Sequence, residues 1–241
     1  MTCPLLLLPG LMCDAAVWAP QIEALAGRDC IVPHYGERDS LAAMAEHVLA
    51  TAPSGRFALA GHSMGGRVAF EILRRAPERV ERLALLDTSY HPLPDGVAGE
   101  AERAQRYALL ETARSRGMRT MARAWAAGMV HPSRLDTPLF EAVLDMIERS
   151  SPAVFAAQIE ALLARPDATA LLGAIRCPTL VLCGRDDAWS PPVRHEFMRE
   201  RIPAARLVVV EDCGHMSTME RPAPVSTALA DWLDAPAIRA D

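Results

Sequence analysis

The chain has 241 residues, 51% of them apolar, with 25 basic and 30 acidic side chains and a formal net charge of −5. All of its basic residues are arginine, and both lysine and asparagine are absent, which excludes Schiff-base chemistry, a P-loop lysine, a Ser–Lys dyad, a Cys-His-Asn triad and N-glycosylation. Mild acidity with scattered arginines argues against a nucleic-acid binder.

In chain order, short β-rich runs alternate with helical patterns, which predicts a mostly parallel central sheet flanked by helices. Leu5–Leu8 is an unbroken apolar run ending at Pro9-Gly10, the pattern of a strand buried on both faces. Val17 to Ala26 reads as a helix and Cys30–Pro33 as a second strand. Ser40 is placed to cap a helix over Leu41–Ala50, in which Leu41, Met44, Ala45 and Val48 share one face. Arg56–Ala60 reads as a strand, Gly66–Ala76 as a helix and Arg82–Leu86 as a strand. Thr179–Cys183 and Arg206–Val210 are the remaining strands, and a helix from about Ala223 to Leu233 closes the chain.

The stretch 89–174 breaks that rhythm, so an all-helical insertion is expected between a core of 1–88 and 175–241. Thr137-Pro138 and Ser151-Pro152 each place a capping residue before a proline at a helix start. Met118, Met121, Ala122, Trp125 and Met129 recur at helical spacing. That stripe reads first as helix packing, with Trp125 a candidate pocket residue.

No apolar run approaches the ~18 residues that would suggest a transmembrane helix, and Met1–Leu11 lacks the charged flank and cleavage site of a signal peptide. The six cysteines form no C-x-x-C pair. A cytoplasmic protein with reduced thiols, no membrane span and no metal site is expected.

The sharpest signal is Gly61-His62-Ser63-Met64-Gly65, a G-x-S-x-G lying between a strand and a helix. A serine at such a turn needs very small neighbours two residues to either side, and Gly61 and Gly65 meet that demand. The helix start favours an oxyanion beside Ser63, and the Met64 N–H is one candidate donor. A serine nucleophile needs a base and an orienting acid. Gly184-Arg185-Asp186-Asp187 follows one later strand and Cys213-Gly214-His215 the next, both at strand ends where ligand sites form in open sheets. His195 also follows these acids but lies in a helical stretch, which leaves His215 as the base. Asp87, at another strand end, is a third acid candidate, and its plainer reading is a carboxylate bonded to loop N–H groups.

The order Ser, acid, His, together with LLLLPGLMCDAAVW, LAGHSMGGRVAFEILRRAPERVERLALLDT, CPTLVLCGRDDAWSPP and EDCGHMSTMERP, resembles small capped α/β-hydrolases of the esterase kind along nearly the whole chain. The resemblance implies an α/β-hydrolase core with a helical cap and selects Asp187 as the acid, because Pro191 stands four residues beyond it. It also implies Leu11 N–H as the second oxyanion donor, although Pro9-Gly10 replaces the more usual histidine-glycine. The implied activity is hydrolysis of a carboxylic ester or thioester through an acyl-enzyme at Ser63, with no cofactor. A small-molecule ester is the expected substrate. Carboxylesterases and methyl-ester esterases acting on carrier-protein-bound pimeloyl chains resemble this chain, so an acyl-carrier protein is a second partner to consider.

Two other readings stay open at the level of sequence. The GGR stretch is similar to that of a lyase of the same fold, which makes a cofactor-free lyase or C–C hydrolase acting on an anion the alternative. A slow ligand-sensing protein of the same fold is the other. Arg67, one turn after Ser63, reads either as a surface residue or as an anion contact at the pocket edge. Arg103, Arg106, Arg114, Arg116, Arg119 and Arg123 read first as a solvated face and second as a site for an anionic partner. An arginine cluster facing the pocket would favour the anionic substrate; an apolar pocket would favour a plain ester.

Overall fold

The computed structural model describes residues 3–203 and 205–236. Six parallel strands form one sheet in the order β2-β1-β3-β4-β5-β6. They are β1 (Leu5–Leu8), β2 (Cys30–Ile31), β3 (Phe57–His62), β4 (Val80–Leu86), β5 (Thr179–Gly184) and β6 (Ala205–Val210). The four central strands are almost entirely buried, which explains why they read as continuous apolar runs. From β1 the chain first moves to one side, to β2, and then returns to pair Leu8 with Gly61 on the other. The carboxyl ends of β1 and β3 therefore flank a topological switch point, the place where open α/β sheets form their crevice.

The helices flanking the sheet are α1 (Ala19–Ala24), α2 (Leu41–Thr51), α3 (Met64–Arg75), α9 (Pro192–Arg201), α10 (Ser217–Glu220) and α11 (Pro222–Asp234). Ser40 caps α2 as expected, its Oγ accepting from Ala43 N–H at 3.1 Å, and the four apolar residues of the inward face are buried. The expected helix over Val17–Ala26 is divided into a 3-10 turn, Ala15–Trp18, and α1. The break follows from Pro20, which has no N–H to donate and fits only in a first helical turn. The second strand ends at Ile31, two residues short of expectation; it lies at the sheet edge and runs into Pro33.

Between β4 and β5 the chain forms α4 (Val97–Arg116), α5 (Met118–Ala126), α6 (Pro138–Glu148), α7 (Pro152–Leu163) and α8 (Thr169–Leu172), with no strand. Ser151 caps α7 by accepting from Val154 N–H at 3.2 Å. Thr137 precedes α6 but makes no capping bond; its hydroxyl donates to Arg134 O at 2.7 Å instead. Of the expected stripe, Met118, Met121, Ala122 and Met129 are buried in the core, and Trp125 is left half-buried. Arg119 reaches across to Asp145, Glu148 and Glu141 on α6, and Arg123 to Glu141.

The turn from β3 into α3 tolerates almost no bulk. A Cβ on Gly65 would stand 2.2 Å from Leu8 O, and one on Gly61 would stand 2.5 Å from Gly65 O. Gly65→Ala should therefore cost about 1–3 kcal/mol, a fall of roughly 3–10 °C in Tm. Thermal unfolding followed by circular dichroism checks this, and a Tm unchanged to within a degree contradicts it.

Candidate functional site

Ser63 stands between β3 and α3 with φ 53 and ψ −117, in the left-handed region that non-glycine residues rarely enter. Hydrogen bonds hold it there. Its N–H donates to Leu86 O at 2.9 Å, and its carbonyl accepts from the Thr88 hydroxyl at 2.7 Å. Thr88 is fixed in turn by donating its N–H to His195 Nε2 at 3.1 Å. His195 thus belongs to the support of the turn, and burial first of all holds its ring at a pKa of about 4.

His215 arrives on the loop between β6 and α10. Its Nε2 lies 2.8 Å from Ser63 Oγ, and its Nδ1 lies 2.8 Å from Asp187 Oδ2. The other oxygen of Asp187 accepts from Trp189 N–H at 2.9 Å and Ser190 N–H at 2.8 Å. Burial opposes charge on both groups. The ion-pair geometry outweighs it, so Asp187 sits below the ordinary carboxylate value and His215 above the ordinary imidazole value. The His215 loop is tied down by its own N–H to Met129 O at 2.6 Å and by buried Glu220, which accepts from the N–H groups of Gly214, Met216 and His131.

The two other acids fall elsewhere. Asp186 is exposed, 3.9 Å from His131. Asp87 is fully buried and accepts from Gly184 N–H at 3.0 Å and from the Ser217 hydroxyl. Burial, and then the charge of Asp187, push the Asp87 carboxyl well above its ordinary value.

His62 does more than fill the variable position of its motif. It is buried, and its Nε2–H donates to His215 O at 2.8 Å, with Asp87 Oδ2 3.6 Å away. Burial, then the neighbouring His215, lower its pKa to about 4. Nothing in the sequence pattern singled out this contact, because 153 residues separate its partners.

Leu11 and Met64 both line the cavity beside Ser63. Among the described residues neither N–H is engaged by a protein acceptor. The next residue, Met12, has φ 59 and donates its N–H to Gln158 Oε1 of α7 at 2.9 Å. The oxyanion-loop candidate is thereby hydrogen-bonded to a helix 146 residues away.

The cavity measures about 760 Å³ and has two kinds of wall. One is aromatic: Trp189 lies 5.1 Å from the His215 ring, Trp125 stacks on Trp189 at 5.5 Å, and Phe155 follows at 5.8 Å. The other is basic, with Arg67, Arg106, Arg165 and Arg194 around the single carboxylate of Glu102. Arg67 and Trp125, named from sequence, both line this space; Arg165, Arg194 and Glu102 were not anticipated. Of the other arginines noted beside Arg106, Arg119 and Arg123 are engaged by acids of α6, while Arg103, Arg114 and Arg116 are exposed. Those acids are distant in sequence, so the charge excess read along α4 and α5 is partly cancelled in space.

A family model described as the alpha/beta hydrolase family matches residues 5–228. The chain is 27% identical over 237 residues to a pimeloyl-[acyl-carrier protein] methyl ester esterase of Nitrosomonas europaea, covering 90% of each. It is 26% identical over 249 residues to an (E)-2-((N-methylformamido)methylene)succinate hydrolase of Acinetobacter baylyi, covering 96% of this chain and 90% of that one. Among solved structures, a thermophilic esterase from Thermogutta terrifontis superposes with TM-score 0.87 at 32% identity, covering 97% of this chain and 90% of that one. The chain belongs to the alpha/beta hydrolase family.

Proposed function

We propose that this carboxylic ester hydrolase works through Ser63 as nucleophile, His215 as base and Asp187 as the acid that orients it. The observation that carries the reading is the continuous chain of two 2.8 Å contacts from Ser63 Oγ through the His215 ring to Asp187. His215 Nε2 takes the Ser63 proton as Oγ bonds to the ester carbonyl, and the carbonyl electron pair moves onto oxygen. The N–H groups of Leu11 and Met64 receive that oxyanion, each such donor being worth about 3 kcal/mol of barrier. Collapse expels the alcohol, which leaves with the proton held by His215. Water activated by the same imidazole then releases the acid and restores Ser63.

The helical stretch 89–174 acts in this reading as a cap over the core, supported by Trp125, Phe155 and Arg106 entering the cavity from it. The substrate is a small-molecule ester. A carrier-protein-bound ester is the further reading that the pimeloyl esterase relatives support, with exposed Arg103, Arg114 and Arg116 as its docking residues. The compartment is the cytoplasm, in keeping with six free thiols among the described residues; no helix among these residues is long and apolar enough to cross a membrane. The basic wall keeps one second reading in view, elimination from an anionic substrate. Turnover in ¹⁸O-water separates the two, because only hydrolysis places the label in the released acid.

The base must be neutral to act, so kcat/KM should rise with pH through the His215 titration. The midpoint should lie above the ordinary imidazole value of 6.5, because Asp187 outweighs the effect of burial. Asp187→Asn should lower kcat on p-nitrophenyl esters by about 10⁴, and Ser63→Ala should abolish the burst of p-nitrophenol. Burst kinetics that survive Ser63→Ala contradict the assignment.

Gln158→Leu leaves Met12 N–H buried without an acceptor, which costs about 1–3 kcal/mol. If Gln158 positions the Leu11 N–H, kcat should fall about tenfold with KM little altered, and Gln158→Glu, which keeps the acceptor, should recover most of the loss. A fall in Tm with kcat intact would limit Gln158 to a structural contact.

A further inference from the structure

We infer that Arg67 and Arg194 form a carboxylate subsite, and that the preferred substrates are esters carrying a free carboxylate within one small molecule's length of the scissile bond. The inference rests on the ester-hydrolase reading and names the substrate class for the same cavity. It starts from a local charge imbalance. Four guanidinium groups line the cavity beside one carboxylate, Glu102. Glu102 is fully taken: Arg165 grips both of its oxygens at 2.6 and 2.7 Å, and Arg106 adds two bonds at 2.8 and 2.9 Å. Hydrogen bonds from Arg165, with the charge of Arg106, outweigh burial and hold its pKa at about 2.

Arg67 and Arg194 are left without a carboxylate partner among the described residues. A guanidinium has five N–H donors. Arg67 gives one bond, to His91 O at 2.8 Å, and Arg194 gives one, to Trp189 O at 3.0 Å. The Nε of Arg165 is buried and also has no partner. Asp167 is not among the residues lining the cavity, and its Oδ1 accepts from the N–H and hydroxyl of Thr169 at 2.8 and 2.6 Å. Unmatched cations in a partly desolvated wall are costly unless an anion supplies the missing contacts. Burial, then the like charge of Arg165 and, less strongly, of Arg106 and Arg194, outweigh the opposing charge of Glu102 and lower the Arg67 pKa to about 9. A carboxylate matches the donors of a guanidinium's two-pronged face, as Glu102 does on Arg165 in the same wall. Arg67 follows Ser63 by four residues at the start of α3, so one small molecule can occupy both places.

The test compares monomethyl glutarate with dimethyl glutarate, and 4-acetoxybutanoate with its methyl ester, so that the carboxylate lies on the acyl or on the alcohol side. At least one free-acid ester should exceed its neutral counterpart about 30-fold in kcat/KM, and Arg67→Met and Arg194→Met should each shrink that ratio about tenfold, mainly through KM. Free glutarate should bind the wild-type enzyme by calorimetry and bind each variant at least tenfold more weakly, a readout independent of turnover. Neutral esters turned over as well as both acids, or a preference that survives both substitutions, overturns the subsite and leaves the hydrolase reading standing. Glutarate binding without turnover of any ester would instead overturn the hydrolase reading and keep the subsite. Should Arg67→Met fail to fold, Arg194→Met and glutarate binding decide the question.

Discussion

The backbone of Ser63, held in a conformation that non-glycine residues avoid, is the constraint on which the rest of the site depends. A left-handed serine is strained by about 1–3 kcal/mol and persists only when its surroundings fix it. Here β3, β4 and α9 do so together, through Leu86 O, the Thr88 hydroxyl and His195 behind Thr88. The close approach of Gly61 and Gly65 to neighbouring backbone leaves the turn no room to relax. The strain presents Oγ at the mouth of the switch point, next to a helix start whose first N–H has no protein acceptor among the described residues.

Around that turn the protein buries several titratable groups while keeping few of them charged. Asp187 and His215 face one another with both carboxylate oxygens bonded. Asp87 is buried as well; burial, and then the charge of Asp187, push its carboxyl well above the ordinary value, and it serves as a strut, accepting from Gly184 N–H and the Ser217 hydroxyl. His62 and His195 are kept neutral by burial and used as hydrogen-bonding posts. Among the described residues that line the cavity, four guanidinium groups face one carboxylate, and that contrast gives the basic wall its functional weight.

Much of this was legible in the sequence because the relevant signals are local. The elbow is a five-residue pattern between a strand and a helix, and Ser40 and Ser151 announce their helices by capping. Asp187 and His215 follow strand ends, so their placement near Ser63 follows from the topology. What stayed hidden depends on contacts across long separations. His62 reaches His215, Gln158 reaches Met12, and Glu102 of α4 meets Arg165 just past the end of α7. The acids of α6 that engage Arg119 and Arg123 were equally invisible beside those residues. The split at Pro20 was available in the sequence and was overridden by the apolar pattern around it.

The central claim is that Ser63 is the nucleophile made reactive by His215. Exposure of the wild-type protein to a fluorophosphonate, followed by intact mass and peptide mapping, tests it most directly. One stoichiometric adduct on Ser63, absent from Ser63→Ala and formed far more slowly by His215→Ala, is the predicted result. An adduct on a different residue, or none on Ser63 of the folded wild-type protein, would contradict it.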